Sequence, residues 1–152
     1  MLPLFLALSA AASSATPLRH GLEPWAMFVG HCWSGPPPGN QGIDTHCFES
    51  VYGGQHVRDH HVVKVNGKAV YAGETLYSVD GPQVSFTYWN SLGGVGRGTV
   101  IAQADELHFT GIMRGSPNSS PEAMDVEWRK VPKGYEVDGP KGTSPRLFQP
   151  VD

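Results

Sequence analysis

The sequence predicts an all-β protein, an antiparallel meander of about eight strands closed into a barrel and preceded by a short N-terminal helix. Three observations carry this. Gly and Pro together supply 32 of 152 residues, roughly a fifth where about 12% is usual, and charged residues are scarce at 16%. β-Branched and aromatic runs alternate with turn signals every eleven to fourteen residues or so. The signals are Gly53-Gly54, Asn66-Gly67, Asp80-Gly81-Pro82, Gly93-Gly94 and Ala104-Asp105, of which Asn-Gly is the strongest hairpin former. This composition excludes a long coiled coil and disfavours a helical bundle. A formal charge of -3 is mild and of the wrong sign for a nucleic-acid binder.

Taken in order, residues 1–15 form an uncharged, apolar and small-residue stretch, which reads as a secretory signal peptide too short to anchor in a bilayer. The mature chain, 16–152, then holds one domain with no further membrane span and a secreted or periplasmic address. Residues 23–29 suit one or two helical turns with Pro24 near the start. Strands follow at 31–34, 44–52, 55–65, 68–79, 83–91, 95–103, 106–112 and 123–131. From Pro132 the Pro- and Gly-rich tail predicts a partly loose segment. Eight sequential strands can close on themselves, which removes exposed edges.

Cys32 and Cys47 each follow a histidine, so a His₂Cys₂ metal site competes with a disulfide. Adjacent side chains on a strand point to opposite faces, so all four cannot converge. A disulfide remains, and it agrees with an exported chain.

The run Gly30-His31-Cys32-Trp33 with the hairpins after it resembles the lipocalin-like (calycin) barrels. The runs 71–77 (YAGETLY) and 88–94 (YWNSLGG) are similar to stretches of uncharacterised bacterial exported members of that group. The resemblance implies one small barrel over 16–152, often with an internal ligand cavity, and no particular chemistry.

Turns also fix register. A two-residue Gly53-Gly54 turn opposes Glu49 to Arg58, His46 to His61 and Phe48 to Asp59. A two-residue Asn66-Gly67 turn opposes Asp59 to Glu74, His61 to Ala72 and Val63 to Val70. The face with Val57, Val63, Val65, Val70, Ala72 and Leu76 is the more apolar and should line the interior. Directly opposed cysteines then bring Trp33 against His46 and turn Trp33 and Phe48 inward. The joint consequence is an inner cluster of His31, His46, His61, Asp59 and Glu74. A three-residue loop at 80–82 adds Val84, Phe86, Tyr88 and Asn90 to the interior, with Tyr88 near Glu74, and the Gly93-Gly94 turn brings Arg97 inward opposite Asn90.

Three functions suit this cluster. In the first, a small molecule binds between Trp33, Phe48, Leu76 and Tyr88, oriented by Asp59, Glu74, Asn90 and Arg97. In the second, His31, His46 and His61 hold a zinc ion, or act as acids and bases with Asp59 and Glu74. No HExxH, GxSxG or P-loop sequence supports an enzyme. In the third, the cluster is a hydrogen-bond network that only fixes the core.

Overall fold

Alternation of inward apolar and outward polar side chains closes the described residues into a barrel of ten strands. A computed structural model describes residues 16–139 and 143–151; the predicted signal peptide lies outside them. The strands are β1 (Cys32–Gly35), β2 (Ile43–Val51), β3 (His56–Val65), β4 (Lys68–Asp80) and β5 (Gln83–Asn90). They continue as β6 (Val95–Gln103), β7 (Glu106–Arg114), β8 (Glu122–Val131), β9 (Gly134–Val137) and β10 (Arg146–Val151). Every neighbour is antiparallel and next in sequence, and β10 pairs with β1 to complete the ring.

Two expectations about the ends are corrected. Much of the tail that was expected to be partly loose is strand: Tyr135, Val137 and Phe148 point inward and are buried, and their strands supply ninth and tenth staves where eight were expected. The pattern spans only four residues in β9, too short to stand out among the prolines and glycines around it. The N-terminal helix is a single 3-10 helix at Glu23–Met27. Leu22 offers its first turn no side-chain cap, and Gly30, at φ 84°, turns the chain away soon after it.

That 3-10 helix plugs one end. Leu22, Trp25 and Phe28 are buried, with Trp25 against Tyr77 at 5.1 Å between rings. Phe28 meets Trp33, Phe48, Trp128 and Tyr135. Trp33 and Phe48 therefore turn inward as expected, but into this aromatic floor.

On the near side the register holds. Cys32 opposes Cys47 and forms the disulfide, Trp33 opposes His46, and β2 meets β3 as His46–His61, Phe48–Asp59 and Glu49–Arg58. On the chain-entropy account, closing a loop of this size is worth about 3 kcal/mol. The connection between β2 and β3 occupies 52–55, with Tyr52, Gly53 and Gly54 all at positive φ, and this longer turn keeps the predicted pairs.

Between β3 and β4 the register changes. The pairs Val65–Lys68 and Lys64–Ala69 follow from the Asn66-Gly67 turn, but a bulge after them moves Val63 opposite Tyr71. The slip of one residue exchanges the faces of all the rest of β4. Val70 is left exposed, Ala72, Glu74 and Leu76 turn outward, and Tyr71, Gly73, Thr75 and Tyr77 turn inward.

Candidate functional site

Inside the barrel, above the aromatic floor, lies a cavity of about 510 Å³. Its mouth is at Pro37, Pro38 and Gln41 of the connection between β1 and β2. One wall, from β7 and β8, is apolar: Phe109, Met113, Met124, Val126 and Trp128. The facing wall, from β2 to β5, carries Asp44, His46, Asp59 and His61 with Tyr71 and Tyr88.

The alternation of β2 and β3 builds that wall. Asp44, His46 and Phe48 share a face of β2, running from mouth to floor, and Asp59 and His61 lie beside them on β3. His46 Nδ1 is 2.8 Å from Asp59 Oδ2, and its Nε2 is 3.2 Å from Asp44 Oδ2. His61 Nδ1 is 2.9 Å from Asp44 Oδ1, and its Nε2 is 3.2 Å from the Tyr88 hydroxyl, which bonds in turn to the Tyr71 hydroxyl. The two imidazoles stack with centres 4.6 Å apart. The chain permits this approach at Gly73, which opposes His61; a Cβ there would collide with both His61 Nε2 and the Tyr88 hydroxyl.

The charges follow from these contacts. His46 faces a carboxylate at each ring nitrogen, and imidazole donates from both only as a cation. Burial opposes that cation, but the Asp59 charge and hydrogen bonds to Asp44 and Asp59 prevail and raise its pKa to about 10. Burial likewise disfavours the Asp44 anion, and the hydrogen bonds from His46 and His61 overcome it, holding this carboxyl well below the usual range. Tyr88 moves upward through burial and its bond to Tyr71, so it stays a neutral hydroxyl. Asp59 is only 2% exposed, and its Oδ1 has no hydrogen-bond partner. Arg146 lines the mouth, donating from Nη1 to the Pro36 carbonyl at 3.1 Å. Burial lowers its pKa against the pull of the Asp44 charge.

Of the predicted site residues, His46, His61, Asp59 and Tyr88 meet on this wall. Trp33 and Phe48 lie in the floor and do not line the cavity. His31 is exposed, because it lies between Gly30 and β1 and is held by its backbone alone, its N–H donating to the Phe28 carbonyl and its carbonyl accepting from the Phe48 amide. Glu74 and Leu76 are turned outward by the bulge, and Glu74 opposes His60 near the Glu49–Arg58 pair on the outer surface. Asn90 caps its own turn, accepting from the Leu92 and Gly94 amides, and does not line the cavity. The loop it closes is longer than a two-residue turn, so Arg97 opposes Thr87 and is exposed. Tyr88 is inside because two differences cancel: the bulge shifts β4 by one residue, and the turn at Gly81-Pro82 has two residues where three were expected.

The sequence reading missed Asp44, Tyr71 and Thr75 on the polar side, Arg146 at the mouth, and the apolar wall of Phe109, Met113, Met124, Val126 and Trp128. Asp44 was accessible to it, since it sits two residues from His46 on the same strand and must share its face. Tyr71 and Thr75 depend on the bulge, which no local residue signals.

No protein-family model matches the chain, and comparisons with curated proteins and with solved structures find no match either.

Proposed function

We propose that this chain is an exported binding protein whose barrel encloses a small organic molecule with a flat apolar body and a hydrogen-bonding group. The observation that carries the reading is the division of one cavity into two walls. Aromatic and thioether side chains of β7 and β8 offer contact area without direction, and Asp44, His61, Tyr88 and Tyr71 opposite offer a few fixed polar atoms. Small-molecule pockets combine these two parts, and their volumes of roughly 300–1,000 Å³ bracket this one. The closed antiparallel meander and the buried Trp33 of β1 support a lipocalin-like kinship, although ten strands stand where eight were expected. Export is supported by the Cys32–Cys47 disulfide and by the apolar leader-like N-terminal stretch. Among the described residues no helix is long and apolar enough to cross a membrane.

The test is a titration with N-phenyl-1-naphthylamine, run with a chelator present and read by energy transfer from tryptophan. Trp128 lines the cavity, so saturable one-to-one transfer is the expected result. Val126→Trp, which fills the same space, should weaken binding by roughly tenfold or more while the chain stays folded by circular dichroism; a methylene-scale change in a pocket already shifts affinity by about tenfold or more. No saturable binding, or binding that ignores Val126→Trp, contradicts the reading.

A further inference from the structure

We propose that Asp44, His46 and His61 form a binding site for one divalent transition-metal ion, with zinc(II) the natural occupant and a coordination position open to the cavity. The site needs no organic ligand and stands or falls separately from the reading above.

The geometry carries the proposal. One ligand atom from each residue lies within 4.8 Å of the others, a grouping of donors that the structure forms from a buried aspartate and two histidines on adjacent strands. His46 Nε2 lies 3.2 Å and His61 Nδ1 2.9 Å from the Asp44 carboxylate. Bonds of roughly 2.0–2.1 Å in a tetrahedron place ligand atoms about 3.3 Å apart. The two measured separations, each to a different Asp44 oxygen, are near that value, and the full set of donor atoms, within 4.8 Å of one another, has only to draw together around the ion.

The surroundings supply the second shell such sites use. On each ring the nitrogen turned away from Asp44 has its own partner: His46 Nδ1 meets Asp59 Oδ2 at 2.8 Å, and His61 Nε2 meets the Tyr88 hydroxyl at 3.2 Å. A metal ion would displace the protons these rings otherwise donate to Asp44; with an N–H then donated at the two far positions, both lone pairs face the Asp44 carboxylate, the arrangement that orients metal-binding histidines. Two imidazoles and a carboxylate suit zinc and other first-row divalent ions. All three residues line the cavity, so a fourth position faces it. The other side-chain pairs of histidine with a carboxylate, His20–Glu23 and His108–Asp125, are exposed and belong to no such group among the described residues.

The experiment is cobalt(II) titration of the purified, chelator-stripped full chain, followed by displacement with zinc(II). The expected result is visible ligand-field bands of low-coordinate cobalt that saturate at one equivalent and disappear as zinc is added, with a melting temperature that rises with zinc concentration. His61→Ala should weaken cobalt binding at least about tenfold, which is the scale of even a second-shell loss; His31→Ala and His108→Ala should leave it unchanged. Should His61→Ala not fold, Asp44→Asn keeps the side chain's size and serves the same comparison. Absence of bands and of zinc stabilisation in the unaltered chain overturns the proposal, as does binding that survives loss of His61 or Asp44 and falls with the surface histidines. Because the naphthylamine titration is run in chelator, failure of either test leaves the other standing.

Discussion

His46→Ala should be among the most destabilising single substitutions in the barrel, with a loss of about 3–5 kcal/mol in denaturant unfolding. The reason is what it leaves behind. Asp59 is buried, its Oδ2 takes its hydrogen bond from His46, and its Oδ1 has no partner. Asp44 keeps His61 but loses its second imidazole. Removing the cation strands buried negative charge, which costs more than the pair contributed. Asp59→Asn in the same chain should therefore recover part of the loss, with a coupling of roughly 0.5–3 kcal/mol in a double-mutant cycle. A loss below about 1 kcal/mol, or strict additivity, contradicts the network described.

The same network gives stability a pH dependence in metal-free protein. The His46 pKa is raised from 6.5 to about 10 in the folded chain. Its contribution is present in full below 6.5 and is lost as pH rises through about 10. Asp44 has the opposite sense: its carboxyl is depressed from 3.8, so its contribution is present above that value and lost as pH falls below it. The groups around them are Asp59 and His61 on β3, Tyr88 on β5 and Arg146 on β10. Urea unfolding at pH 7 and pH 10 should show the alkaline loss in the wild type and a smaller one in His46→Ala.

Trp25→Ala is the second large expected effect, again about 3–5 kcal/mol. Trp25 is fully buried, sits on Tyr77 and belongs to the plug that closes the floor. Its ring lies between the 3-10 helix and the barrel, so truncation leaves a void beneath the core that a five-residue element cannot collapse to fill. Trp25→Phe should lose much less, since it keeps aromatic contact and removes an indole N–H that has no partner. Trp89→Ala, at an outer-face position that is 45% exposed, should change stability by no more than about 0.5 kcal/mol. Thermal and urea unfolding of the three variants check the order.

The near side of the barrel was legible because two independent constraints agreed there. The Gly53-Gly54 turn and the opposed cysteines each set a register, both turned Trp33 and Phe48 inward, and together they brought His46 beside His61 and Asp59. The far side depended on one constraint, Asn66-Gly67. That turn is correct for two pairs, and then the bulge at Val63/Lys64 moves every later residue of β4 to the other face. Apolar alternation misled at this point, because Val70, Ala72 and Leu76 look like an inner face, whereas Tyr71, Thr75 and Tyr77 occupy it. Large aromatic side chains with a polar tip can line a cavity as readily as aliphatic ones, and period two alone does not tell them apart. The closing strands were hidden for a different reason: β9 has four residues, and its meaning comes from its pairing with β8 and β10, not from its own sequence.

The most direct test of the account is the affinity of the chain for 2-naphthol relative to naphthalene, measured by calorimetry in chelator. The apolar wall is the same for both, and only the hydroxyl can reach the polar atoms of Asp44, His61 and Tyr88. A hydrogen bond to a charged group contributes about 1.5–3 kcal/mol, so 2-naphthol should bind at least roughly tenfold more tightly. Equal affinities, or no binding of either compound, would contradict a cavity in which one wall holds the ligand and the other orients it.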